Sequence, residues 1–231
     1  MTTGAVPSRG GRIIDLSHPL RSGMPVFPGD PEVRIGTAAT IPEVGVHVMS
    51  LELGSHSGTH VDAPSHSIDG AATIDTVDLG RLMGPVRVIP VTGLEPRTRI
   101  EVDAVSEHLA AVRPGEIVLF RTDWSTRFGE PEYLDHPFLD ASVAVALLRA
   151  GVTVMGVDTL NPDETPLDDA APRLPFHDVF LAAGGLIIEN LTNLGRITAA
   201  APHFVGLPLA IAGGDGSPLR AVVIEEADAA D

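Results

Sequence analysis

Short apolar runs rich in β-branched residues recur along this chain, and glycine or proline closes most of them. The runs cover residues 13–16, 46–53, 86–91, 117–120, 152–157, 186–188, 204–211 and 221–224. They have the length of strands rather than of helices. With 20 prolines and 24 glycines spread through it, the chain must turn often. Three segments carry helical punctuation: residues 102–112, stopped by Pro114-Gly115; residues 141–150, with Asp140 as N-cap and Gly151 as stop; and residues 174–183, before Gly184-Gly185. The last two run directly into a β-branched strand, which is an α/β rhythm, whereas the first third is strand and loop. A length of 231 residues supports one sizeable core. The expected fold is a single mixed α/β domain over residues 1–231, a central mixed sheet with flanking helices, whose ends at 1–11 and 226–231 fray.

Charge and composition exclude several roles. The formal net charge of −16, from 31 acidic against 15 basic residues, repels a phosphate backbone or an anionic membrane, so no nucleic-acid or membrane partner is expected. The N-terminal segment lacks the apolar stretch of a secretory signal and no apolar run approaches a membrane span, which makes a cytoplasmic location the expectation. There is no cysteine. A bound metal would therefore be held by nitrogen and oxygen, a donor set suited to zinc, manganese, iron or cobalt.

Four of the nine histidines, His47, His56, His60 and His66, cluster in sequence, and the last three share an eleven-residue segment with Asp62. Taken singly, each is more often a solvated or core histidine than a ligand. Taken together, three histidines and an aspartate in a glycine- and proline-punctuated segment are hard to explain as packing. Gly58 and Pro64 argue for a loop or single turn that folds around an ion, at the end of the strand 46–53. Two glycine-rich motifs are set aside. Gly54-Ser-His-Ser-Gly58 has His56 where a serine nucleophile would stand at the apex of a strand-to-helix turn. Gly213-Gly-Asp-Gly-Ser-Pro218 is followed by a strand where a phosphate cradle needs a helix, and is expected to be a hairpin turn.

The segment His56-Ser-Gly-Thr-His-Val-Asp-Ala-Pro-Ser-His66 resembles the signature of the cyclase family of metal-dependent hydrolases, which includes bacterial kynurenine formamidases and isatin hydrolases. Ile14-Asp-Leu-Ser-His-Pro-Leu20 resembles the family's opening strand, Pro28-Gly-Asp30 its substrate-side loop and Gly156-Val-Asp158 a later strand. Leu207-Pro208 and Gly214-Asp-Gly-Ser-Pro-Leu-Arg220 resemble its closing hairpin. The resemblance implies the swivelling β/β/α fold with a barrel-like sheet. It also implies two divalent ions, Zn2+ or Mn2+: His56, His60 and Asp62 would form one site, and Asp62 would bridge to a second completed by His177 and Glu189. Without it, His177 would pass for a helix-surface residue and Glu189 for a charge at a strand end. A homodimer or homotetramer is implied as well.

The expected activity is hydrolysis of an amide in a small aromatic substrate. An arylformamidase acting on N-formylkynurenine or a similar amine comes first, and opening of a cyclic amide such as isatin is the alternative. A non-catalytic protein braced by its metals is the reading from another class. His66, a histidine beyond a sufficient ligand set, is assigned the proton transfer that a departing nitrogen requires. Phe27 and Trp124 are the candidate aryl contacts and equally candidate core residues. Arg121 has two possible partners, a substrate carboxylate or Asp123.

Overall fold

In a computed structural model, the structure describes residues 11–166 and 173–226. Nearly all of the two ends expected to fray lies outside the described residues. In chain order the elements are β1 (Arg12–Asp15), β2 (Arg34–Ala39), a one-turn helix α1 (Ile41–Val44), β3 (Val48–Glu52), β4 (His60–Asp62), β5 (Met83–Pro90), β6 (Arg99–Ile100), α2 (Val102–Leu109) and β7 (Ile117–Arg121). There follow β8 (Phe138–Leu139), α3 (Ala141–Arg149), β9 (Val154–Val157), α4 (Pro175–Ala182), β10 (Leu186–Glu189), β11 (His203–Pro208) and β12 (Gly216–Glu225).

The central sheet closes on itself in the order β12-β11-β5-β7-β9-β10-β4, with β4 returning to β12. Strands β5, β7, β9 and β10 are parallel neighbours. Parallel neighbours need crossovers, and α2, α3 and α4 supply them in turn. The other barrel pairings, through β4, β11 and β12, are antiparallel. The expected mixed, barrel-like sheet with few helices is what the chain forms.

The parallel strands bury both faces, which is why they read as unbroken apolar runs. Val86, Ile117, Leu119, Leu186 and Ile188 point into the barrel with Phe204, Ala221 and Val223. Their neighbours Ile89, Val118, Phe120 and Ile187 point outward against Val105, Val143, Leu147, Phe176 and Phe180 of the helices. Gly156 is required inside the barrel: a Cβ there would lie 2.8 Å from both Leu119 and Leu191 side chains. Asp140 caps α3 as expected, accepting from Ser142 N at 2.9 Å.

Three expectations are corrected. The run 46–53 supplies β3, which pairs only with β2 in an exposed hairpin apart from the barrel and does not carry the histidine cluster. The hydrophobic run is genuine, but among the described residues nothing covers it. Helix α2 stops at Leu109, because Ala110 to Val112 tighten into a turn before Pro114. The last strand begins at Gly216, five residues before its β-branched core, since Gly216 to Pro218 pair with β4 through backbone alone.

Candidate active site

The segment from His56 to His66 is not one loop. His56 to Gly58 form a turn, with Gly58 at φ +65°; residues His60 to Asp62 are β4, locked between β10 and β12; and Pro64 to His66 make a turn of 3-10 helix. A three-residue strand flanked on both sides by ladders is rigid, and its alternation aims His60 and Asp62 to the same side. The sequence signals Gly58 and Pro64 mark the ends of this strand rather than its absence.

Register then brings the distant residues in. Glu189 pairs with His60 across β10 and β4, so the carboxylate at the strand's end stands beside the imidazole. Asn190, the next residue, has φ +54° and stops the strand. Its conformation is held by Tyr133 Oη donating to its Oδ1 at 2.8 Å and by Thr59 Oγ1 donating to its carbonyl at 2.6 Å. His177 lies on the inner face of α4, only 2% exposed, and not on the helix surface. Asp163 places it: one carboxylate accepts the backbone N–H of Phe176 at 2.8 Å and of His177 at 3.1 Å, and the ring Nδ1–H of His177 at 2.7 Å. It caps α4 and fixes the imidazole together.

Three groups of converging donors result, His56-His60-Asp62 and Asp62-His177-Glu189, which share Asp62, and His56-His66-Asp215 at the rim, each with its ligand atoms within 4.8 Å of one another. His60 Nδ1 donates to the Gly58 carbonyl at 2.8 Å, so its Nε2 lone pair faces inward, 3.2 Å from Asp62 and 3.3 Å from Glu189. His177 Nε2 lies 3.2 Å from Glu189 and 3.5 Å from Asp62. His56 Nδ1 stands 2.7 Å from Asp62 Oδ1. His60 Nε2, Asp62 Oδ2 and Glu189 Oε1 are buried without a hydrogen-bond partner. Buried polar atoms are rarely left so, and orphaned atoms within these donor groups fit divalent cations.

The electrostatics agree. Burial alone would lower the pKa of His60, but the carboxylates of Asp62 and Glu189 push it up to about 10. Burial alone would raise Asp62, yet the imidazoles of His60, His177 and His56 hold it well below the usual carboxylate range. Two carboxylates removed from water, with exposures of 0% and 5%, require positive charge between them.

His66 lies at the rim, its ring centroid 3.9 Å from that of His56 and 5.7 Å from that of His177, and its side chain is partly open to solvent. It stands beside the two groups that share Asp62 and belongs to the third, with His56 and Asp215. Phe27, just before Pro28-Gly-Asp30, is half-buried and packs against the cluster of Trp124, Tyr133 and Leu160. Burial raises the Asp30 carboxyl, while His56, His66 and His60 pull the other way. Trp124, by contrast, is 2% exposed: it packs with Tyr133 and Leu160, donates its indole N–H to the Tyr133 carbonyl at 3.2 Å and carries the Arg127 guanidinium 4.0 Å above its ring. Of the two roles open to Trp124, its packing matches the core. Arg121 is claimed by Asp123 through two hydrogen bonds, of 2.6 and 2.9 Å. His47 stays on the exposed arm.

Sequence reasoning missed Asp163, Asn190 and Asp215. Asp215 belongs to the glycine-rich turn expected only to reverse the chain; its carboxylate lies 2.9 Å from His56 Nε2 and 3.3 Å from His66 Nδ1. An aspartate amid three nearby glycines was the available signal. Asp163 and Asn190 carried none, because a residue that holds a ligand or ends a strand keeps no fixed spacing from it.

Known proteins show the same picture. A family model described as Putative cyclase matches residues 14–164. A kynurenine formamidase of Bacillus cereus is 36% identical over 213 residues, covering 91% of this chain and 96% of that protein. One from Salinibacter ruber is 34% identical over 224 residues, covering 94% and 99%. Among solved structures, an isatin hydrolase bound to the product analogue thioisatinate superposes with a TM-score of 0.84 at 26% identity, covering 94% of this chain and 93% of that one.

Proposed function

The chain belongs to the putative cyclase family, and from that membership we infer that it is a metal-dependent amidohydrolase, a hydrolase of C–N bonds other than peptide bonds. We propose further that it is an arylformamidase, releasing formate from an N-formyl aromatic amine such as N-formylkynurenine. The kynurenine formamidases at 36% and 34% identity support the formamidase reading; the structural likeness to an isatin hydrolase keeps the cyclic amide as the second reading.

The observation that carries the catalytic reading is the pair of buried donor groups sharing Asp62, with three orphaned atoms turned inward. His56, His60 and Asp62 would hold one ion, and Asp62, His177 and Glu189 a second, zinc or manganese. A divalent cation held there supplies Lewis acidity: it polarises a carbonyl and makes water acidic enough to react near neutral pH.

The chain's own residues do the rest. Water adds to the formyl carbon, the C–N bond breaks, and the departing nitrogen must gain a proton. His66 delivers it, since it stands at the rim beside both His56 and His177 with its side chain partly open to solvent. The loop bearing Phe27 covers the aryl ring and limits water. A homodimer in the cytoplasm completes the proposal, supported by the uncovered β2–β3 arm.

The test is to strip the purified protein with chelator, restore zinc or manganese separately, and assay N-formylkynurenine beside isatin. Metal-restored release of formate is expected. Turnover of isatin alone would shift the assignment to the cyclic amide, and turnover of neither by the reloaded protein would refute the proposed substrate class.

A further inference from the structure

Asp215 stands where two functional imidazoles meet. Its single oxygen Oδ2 is 2.9 Å from His56 Nε2 and 3.3 Å from His66 Nδ1, and those two rings lie 3.9 Å apart. A carboxylate accepts and does not donate, so each of these ring nitrogens carries its proton toward Asp215. His56 Nδ1 faces a second carboxylate, 2.7 Å from Asp62, so a cation bound at Nδ1 would replace that hydrogen bond and leave the proton on Nε2, toward Asp215. For His66 the bond to Asp215 leaves Nε2 as the nitrogen free to exchange a proton with a substrate.

The carboxylate is itself held. The Asp215 carbonyl accepts from Ala63 N at 2.9 Å and the Gly214 carbonyl from Ile74 N at 2.7 Å, which clamps the turn onto the chain leaving β4. Next to it, a Cβ on Gly216 would come within 2.7 Å of His56 Cε1, so the strand presses against the ring that Asp215 holds. Asp163 does for His177 what this arrangement does for His56, from a different part of the fold.

We propose that Asp215 is a positioning residue that fixes the tautomers of both His56 and His66, coupling the first metal group to the proton-transfer histidine through one carboxylate oxygen. This rests on the functional reading above for the roles of the two histidines, but the hydrogen bonds it invokes exist without a substrate.

Long-range 15N–1H correlation spectra of histidine-labelled full-length protein, metal-free and zinc-loaded, test it directly. In the wild type His66 should carry its proton on Nδ1 and, in the zinc-loaded protein, His56 should carry its own on Nε2. In Asp215→Ala, and in the volume-preserving Asp215→Leu should the first fail to fold, His66 should lose its Nδ1–H preference. Asp215→Asn, whose side-chain oxygen can occupy the same place, should largely retain it. With substrate, kcat should fall about 100-fold in Asp215→Ala while KM stays nearly constant, and zinc affinity at one site should drop about 10- to 100-fold. Unchanged tautomers in Asp215→Ala and Asp215→Leu would overturn the proposal, as would complete loss of one metal equivalent, which would make Asp215 a ligand. Failure of the wild type to hydrolyse either amide would sink the functional reading while leaving the spectra to judge Asp215.

Discussion

Asp62 and His66 are four positions apart and should respond to truncation in opposite ways. Asp62 belongs to both donor groups and has no exposure, so Asp62→Ala should empty both metal sites; retained metal measured by elemental analysis would argue against bridging. His66 is outside the two groups that share Asp62, so His66→Ala should keep the metal held there and lose about 100-fold or more in kcat. Loss of metal from that variant would make it a ligand. Asp163→Ala tests the support of His177: the ring would lose its acceptor and α4 its cap, and metal affinity should fall about 10- to 100-fold in a chelator competition. The proposed ligands were legible because they cluster in sequence or lie at a spacing the family resemblance supplies. Asp163 and Asp215 were not, since an aspartate that holds a ligand has no spacing of its own.

At the level of elements, the short strand β4 decides the site. Its two flanking ladders set which residues face one another, and the turn at Gly214 and Gly216 closes the barrel against His56. Gly216→Ala places a methyl 2.7 Å from His56 Cε1 and 3.0 Å from the Val61 carbonyl. The ring must move, so zinc affinity at the first site should fall while α4 and the second site keep theirs; two equivalents bound at wild-type affinity would count against this account. Gly58→Ala suffers both from φ +65° and from a Leu20 methyl at 2.8 Å. The strand was hidden in the sequence because its length is below what periodicity resolves, and Gly58 and Pro64 read as loop.

For the whole molecule, the β2–β3 arm stands out. A two-stranded hairpin alone is marginal in water, and this one exposes Ile41, Val44, Met49 and Leu51. A further exposed apolar strip, Leu207 and Leu209, borders a cleft of about 530 Å³ lined also by His18, Leu20 and Pro218. A second copy would cover such surfaces by exchange of like for like. Met49→Glu with Leu51→Glu should therefore halve the particle mass in light scattering, and an unaltered mass would remove the arm from the interface. Acid stability is also a property of the whole. Hydrogen bonds from Arg220, Arg87 and Ser142 lower the pKa of Asp15, Glu116 and Asp140 respectively. Their folded values lie below the unfolded ones, so their contribution is full above the ordinary carboxylate range and disappears as pH falls through it. Asp158, pushed up to about 6 by burial, has the opposite sign and loses its contribution as pH rises through that value. The urea midpoint should thus decline between pH 5 and pH 3, and decline less in Asp15→Asn/Glu116→Gln; an equal decline would refute these pairs as the cause.

Local chemistry along the chain determined the parallel α/β half, whose strands are apolar on both faces and whose helices carry their own stops, together with the donor types of the metal site. Period, cap and residue class are local properties and survive in one dimension. Closure of the barrel, the strand at His60 to Asp62, the burial of His177 and the arrival of Asp163 and Asp215 were decided only in the tertiary structure. Each depends on register between segments far apart in the chain, and register is set by the packing of the whole sheet rather than by any segment's own residues.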